Sequence, residues 1–182
     1  FAKREGKIVS FDVNYREAMW GDKDEARELF WSCIGTADIV KLSEQERDFL
    51  CVGAGNRTCA ERISGGSGKL VLISLGAEGS YFHCPGGDGM CRAFAVRARD
   101  TTGCGDAFVG TVLAMLASEL RDGSTGAEGP GPLARLPISR VQEIVERANA
   151  AGALCAMRYG SLSAMPDDRE TEEFMRQGGR QL

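Results

Sequence analysis

The chain has 182 residues, 43% hydrophobic and 26% charged, a composition that describes a globular protein long enough to bury one sizeable core. Its 22 Lys and Arg against 26 Asp and Glu give a formal net charge of -4, so neither nucleic acid nor an anionic membrane surface is an expected partner. No apolar run approaches the roughly 20 residues that a membrane helix needs, and the glycines follow no Gly-x-y period, which excludes collagen.

The chain opens Phe1-Ala2-Lys3-Arg4-Glu5-Gly6, without an initiator Met or a signal-peptide shape, and this suggests a piece of something longer. Residues 7–13 are short and rich in β-formers, so they read as a strand. In 22–34, Ala26, Leu29, Phe30, Cys33 and Ile34 recur at helical spacing. A second strand is expected at 38–42, and Ser43-Glu44-Gln45-Glu46 then forms the Ser-x-x-Glu capping box of a helix through about Cys51. A short helix at 58–63 ends on Gly65-Gly66, and 69–74 is a buried strand. Further strands are expected at 79–84 and 92–96, so the 65–100 region should hold a local antiparallel element.

A long helix starting near Gly105 is marked by Ala107, Phe108, Val112, Leu113, Met115, Leu116 and Leu120. Residues 121–132, heavy in Gly and Pro, read as a surface loop. Ser139 is the expected cap of a helix running to about Met157, and Tyr159-Gly160 turns into the last segment. Strands alternating with helices predict an α/β fold with a mostly parallel sheet.

Seven cysteines, at 33, 51, 59, 84, 91, 104 and 155, include no Cys-x-x-Cys, which favours neither a disulfide framework nor a zinc knuckle. Reduced thiols in an intracellular setting are the simplest reading. The single His, His83, sits beside Phe82 in an apolar strand and reads as structural.

Chemistry is concentrated in Asp100-Thr101-Thr102-Gly103-Cys104-Gly105-Asp106-Ala107-Phe108, where two glycines flank one small residue at the start of the apolar-periodic helix. Glycine lets backbone amides turn toward one point and leaves room for a ligand. A helix N-terminus adds free N–H donors and partial positive charge, an anion hole suited to a phosphoryl group. Asp106, in the first turn, is placed to accept a hydroxyl proton, and phosphoryl transfer asks for little beyond positioning, charge stabilisation and such a base. From spacing alone the same residues read equally well as a glycine-rich turn with a capping aspartate.

This stretch resembles the C-terminal signature of the ribokinase-like carbohydrate kinases, the phosphofructokinase-B group, with Cys104 standing where Ala is usual. Phe11-Asp12-Val13-Asn14-Tyr15-Arg16, followed by Trp20, is similar to the Asp-x-Asn-x-Arg segment of fructokinases and 2-keto-3-deoxygluconate kinases. Lys41-Leu42-Ser43-Glu44-Gln45-Glu46 resembles the segment holding the family's Asn-x-x-Glu motif, with Ser43 in place of Asn. Ile73-Ser74-Leu75-Gly76-Ala77-Glu78-Gly79 resembles the nucleotide-side strand and turn. Ala148-Asn149-Ala150-Ala151-Gly152-Ala153-Leu154, then Gly160 and Pro166, resembles the closing helix and its loop. In the family's order these segments cover essentially the whole chain.

The resemblance implies a ribokinase-like fold, with 1–182 as the incomplete C-terminal, nucleotide-binding part and the N-terminal strands and lid absent. It implies ATP- and Mg²⁺-dependent phosphorylation of a sugar hydroxyl, most simply fructose to fructose 6-phosphate, with 2-keto-3-deoxygluconate kinase as the alternative. Asp106 would be the base, and Gly103, Cys104 and Gly105 the anion hole. Ser74, Gly76, Gly79 and Asn149 would border ATP. Asn14 and Arg16 would face the sugar, Arg16 with a fork suited to a sugar-acid carboxylate, although a salt bridge at a strand end would equally explain it. Glu46 would act through Mg²⁺ and its water shell while also completing the capping box. Asp100 and the loop near Gly160 would help hold a monovalent cation, potassium. A homodimer through the lid and a cytoplasmic location are the defaults; a plastid or other organelle is not excluded. A non-catalytic fructokinase-like scaffold is the reading from another class, and these 182 residues by themselves are expected to be inactive.

Cys104, a thiol between glycines at a helix N-terminus, is expected to have a lowered pKa and to be reactive if exposed; the inert alternative is a small residue filling the Ala position. Two decoys are set aside. Gly65-Gly66-Ser67-Gly68-Lys69 lacks the leading Gly and the Ser/Thr of a P-loop and runs into a strand. Gly103-Cys104-Gly105 has Phe108 where a dinucleotide fingerprint needs its third glycine.

Overall fold

A computed structural model of the chain describes residues 1–122 and 131–178, so most of the expected 121–132 loop lies outside the described residues. Five strands form one sheet in the order β1 (Ser10–Asp12), β2 (Ile39–Ser43), β3 (Leu70–Ser74), β4 (Ser80–Cys84) and β5 (Gly87–Cys91). The first three strands run parallel, and β4 and β5 fold back as an antiparallel hairpin. The register sets Asp12 beside Lys41 and Ser43 beside Ser74. The polar ends of the parallel strands therefore share one edge of the sheet.

Among the described residues, six α-helices cover the sheet: α1 (Lys23–Thr36), α2 (Glu44–Leu50), α3 (Asn56–Ser64), α4 (Cys104–Asp122), α5 (Ile138–Ala156) and α6 (Asp168–Arg176). Strand alternation sorts the core into two layers. Val40, Leu42, Val71 and Ile73 pack with Ala26, Phe30 and Ile34 of α1 and with Cys59, Ala60 and Ile63 of α3. Ile39, Leu70, Leu72 and Phe82 face the other way, against Phe108, Val112 and Leu116 of α4 and Val141, Ile144 and Val145 of α5. Burial on both faces explains why β2 and β3 read as continuous apolar runs. Truncating Phe82 to Ala in this setting costs about 3–5 kcal/mol.

Local chemistry sets the boundaries. Asp22 caps α1 by accepting from the amides of Asp24 and Glu25, and the Ser43–Glu46 capping box opens α2 as expected. Lys69, from the P-loop decoy, is buried, and its ammonium donates to the Ile34, Gly35 and Ala37 carbonyls, satisfying the C-terminal end of α1.

Two expectations are corrected, and the last segment gains an assignment. The strand expected at 92–96 is not one; the hairpin partner of β4 is Gly87–Cys91. Its glycines hide it from a propensity reading, yet packing requires them: a β-carbon on Gly89 would sit 2.8 Å from the Phe82 ring. Ser139 does not cap α5, because the N-cap is Pro137, whose carbonyl accepts from the Arg140 and Val141 amides. The last segment, left unassigned above, is helix α6, opened by a second capping box between Asp167 and Glu170. Among the described residues, no helix is long and apolar enough to cross a membrane.

Candidate active site

The expected site residues gather along the edge where the parallel strands end, the side on which open α/β sheets place their ligands. At its centre is the N-terminus of α4. Gly103 takes a left-handed φ of 82°, and a β-carbon there would lie 3.2 Å from Ser161 Oγ and 3.3 Å from Met165 Cε. Only glycine meets both conditions at low cost. Beyond that turn the Cys104 amide donates to the Thr101 carbonyl and the Ala107 amide to the Gly103 carbonyl. The amides between them, those of Gly105 and Asp106, have no acceptor among the described residues. Two free donors therefore open a 19-residue helix, and the Asp106 carboxylate beside them is exposed.

Beneath this turn lies an ion pair whose role the sequence reading missed. Lys41, only 7% exposed, sends its ammonium to the Asp12 carboxylate across the β1–β2 pair, at 3.2 and 3.3 Å. The same ammonium would lie 3.0 Å from a β-carbon on Gly105. Burial raises the Asp12 carboxyl above its ordinary value; Lys41 opposes this, while Glu46 and Asp106 add to it. Asp12 thus feels the charges of Lys41, Glu46 and Asp106. The available signal was a charged residue inside the apolar run Ile39-Val40-Lys41-Leu42.

Glu46 is buried, and its two carboxylate oxygens accept from the Tyr15 amide at 2.8 Å and the Ser43 amide at 2.6 Å. It therefore ties the 14–16 segment to the start of α2. Asn14 is exposed with φ 45°, a left-handed conformation Asn tolerates. Arg16 is also exposed; its guanidinium donates to the Tyr15 carbonyl at 3.2 Å. Among the described residues it makes no salt bridge, contrary to the structural alternative weighed for it.

On the other side, Ser74 ends β3 and pairs with Ser80 across the antiparallel ladder, while Gly76 and Gly79 form the turn between them. Asn149 of α5 accepts from Ser80 Oγ at 3.0 Å and donates to the Cys91 carbonyl at 3.1 Å. Its amide is thus committed to bracing the hairpin. Asp100 accepts from the Thr102 amide at 2.9 Å and the Gly160 amide at 3.0 Å, tying two loops together. Hydrogen bonds from Thr102 and from Gly160 hold its carboxyl below the ordinary value.

The expected reactivity of Cys104 is corrected. Its thiol is half-buried, and burial, with neighbouring Cys155 and Asp100 adding, pushes its pKa up to about 12. Desolvation outweighs the helix terminus here, which favours the reading of Cys104 as a small residue in the Ala position. One depression of about 410 Å³ lies between α5 and α6 beside Arg99, Arg158 and Phe174, and one of about 240 Å³ runs along α4 from Ala107 past Thr111, beside Met165.

The profile of the pfkB family carbohydrate kinases matches residues 1–168. Fructokinase-1 of Oryza sativa subsp. japonica is 31% identical over 175 residues, a match covering 96% of this chain and 50% of that protein. The crystal structure of a fructokinase with bound ATP from Xylella fastidiosa superposes with a TM-score of 0.81 at 27% identity, over 98% of this chain and 55% of that one. A fructokinase from Vibrio cholerae O395, solved with fructose, ADP and calcium, gives 0.76 at 30% identity over 94% and 52%. The chain spans about half the length of these relatives. With the family profile matched over nearly its whole length and the glycine-flanked helix start in place, the chain belongs to the pfkB family of carbohydrate kinases.

Proposed function

We propose that the protein carrying this chain transfers the γ-phosphoryl group of ATP to a sugar hydroxyl, with fructose as acceptor and fructose 6-phosphate as product. The observation that carries this reading is the pair of free amides at Gly105 and Asp106, set beside an exposed carboxylate at the start of α4. The amides and the helix dipole stabilise charge on the transferring phosphoryl group. Asp106 accepts the proton of the attacking hydroxyl, which is the protein's main chemical task in such a transfer. Lys41 holds Asp12 compensated directly under the turn.

The nucleotide lies on the side of Ser74, Gly76 and Gly79, with Asn149 fixing the hairpin wall by its bonds to Ser80 and Cys91. Magnesium, carried on the phosphates, neutralises their charge when bound. Glu46 suits an outer role toward it, because both its oxygens already hold backbone amides. Potassium belongs between the loops that Asp100 joins through Thr102 and Gly160.

One observation favours a second acceptor. Among the described residues, the exposed Arg16 guanidinium has just the neighbouring Tyr15 carbonyl as partner, and such a fork suits the carboxylate of 2-keto-3-deoxygluconate. The deciding experiment measures ADP release by the intact protein with each compound. Turnover on fructose supports the first reading; turnover on the sugar acid alone replaces it with the second. Nucleotide binding without turnover on any sugar supports a non-catalytic scaffold.

A further inference from the structure

Away from the α4 turn, two cysteines meet inside the protein. Cys51 is the C-cap of α2 and Cys59 lies in the first turn of α3, joined by the short connection around Gly53 and Gly55. The Cys59 thiol donates to Cys51 Sγ with the sulfurs 2.6 Å apart, and the residues are 1% and 0% exposed. Neither sulfur takes part in the chemistry described above. We propose that Cys51 and Cys59 are a modification site: hydrogen peroxide converts this thiol pair into a reversible disulfide that ties the end of α2 to α3.

The two sulfurs have different roles. Hydrogen bonding from Cys59 lowers the Cys51 thiol, with Arg47 and Arg62 assisting against the opposing effect of burial. Cys59 is held up by the bond it donates and by burial, and stays protonated. Cys51, next to the exposed Val52 in the connection, is the sulfur a peroxide meets first, and Cys59, 2.6 Å away, is the resolving one. The buried Cys84, Cys91 and Cys155 and the half-buried Cys104 are all pushed up by burial.

Access is local. Val52, next to Cys51, is 75% exposed, and Gly53 follows with φ 72° in the turn. A small oxidant needs only local opening of that connection, not unfolding of the core. The Cys51 thiolate attacks one peroxide oxygen and the O–O bond breaks. Hydroxide leaves and takes up a proton as the first water, and Cys51 becomes a sulfenic acid. Cys59 sulfur then attacks Cys51 sulfur and loses its proton. The S–O bond breaks, and the hydroxyl departs with that proton as the second water. The two thiols together lose two electrons, and peroxide is reduced to two waters. A dithiol reductant reverses the change by exchange.

The experiment uses this chain directly, and its outcome is independent of the sugar-kinase reading. The folded chain is treated with a slight excess of hydrogen peroxide, alkylated under denaturing conditions and digested with trypsin. Cleavage after Arg47, Arg57 and Arg62 puts the two cysteines in separate peptides, 48–57 and 58–62. The expected product is these peptides joined, two hydrogens lighter than their sum, with the other five cysteines alkylated. Dithiothreitol restores both peptides, and oxidation of the denatured chain loses the selectivity. Cys59→Ser leaves Cys51 trapped as a sulfenic acid by dimedone, whereas Cys51→Ser leaves Cys59 fully alkylated. Recovery of both peptides alkylated overturns the site. So does a cross-link confined to Cys104 and Cys155, or oxidation of Cys59 undiminished in Cys51→Ser.

Discussion

Lys41 and Gly105 are in close apposition: the Lys41 ammonium lies where a β-carbon on Gly105 would come within 3.0 Å of it. The buried ion pair between two parallel strands therefore sits directly under the first turn of the helix that carries Asp106. A cation from the sheet and free amides from the helix are stacked at one point.

Removing the cation alone should be worse than removing the pair. Lys41→Met leaves the Asp12 carboxylate largely buried and uncompensated, and should cost about 3 kcal/mol, read as a lower urea midpoint. Adding Asp12→Asn should recover more than half of that loss; strictly additive losses would refute the coupling. The sign with pH follows from the raised Asp12 carboxyl. A raised value favours the folded state at acid pH, and this advantage is lost as pH rises through the folded value. Lys41→Met should therefore lose more stability at neutral pH than near the ordinary carboxylate value of 3.8.

The two glycines of the turn should respond differently to alanine. Gly103→Ala forces a left-handed φ of 82° on a residue with a side chain, against Ser161 and Met165. It should cost about 1–3 kcal/mol. Gly105 is helical, so Gly105→Ala should change stability by no more than about 1 kcal/mol. Its methyl group, however, would displace the Lys41 ammonium and crowd the free amides, so ADP affinity of the intact protein should fall. Thermal midpoints and ADP titrations of the two variants separate these effects; a Gly105→Ala protein less stable than Gly103→Ala contradicts them.

Asp100 ties the 100–103 turn to the Gly160 loop, and its carboxyl is held low by those bonds. A lowered value gives stability that is present above the ordinary 3.8 and lost as pH falls through the folded value. Asp100→Asn should destabilise at neutral pH and flatten the acid limb. Urea midpoints measured above and below 3.8 check this; a variant losing equal stability at both would place the contribution elsewhere.

Much of the fold was legible because local and tertiary preferences agree. The capping box Ser43–Glu46, the apolar run of β3 and the periodicity of α4 each say in sequence what they do in space. β5 was missed because Gly87 and Gly89 are chosen by Phe82 and the hairpin, not by strand propensity. The lowered pKa expected of Cys104 fails because a helix terminus is visible in sequence whereas the burial that outweighs it is not. Lys41 was quoted as part of a motif, but its pairing with Asp12 depends on a β1–β2 register that residue spacing does not reveal.

The central claim is that Asp106 is the base at an anion-binding helix start. Its most direct test is Asp106→Asn in the intact protein, comparing ATP affinity with turnover on sugar. The account predicts nearly unchanged ATP binding and a turnover lower by about 10²–10⁴-fold. Turnover within a few-fold of the unaltered protein would contradict it.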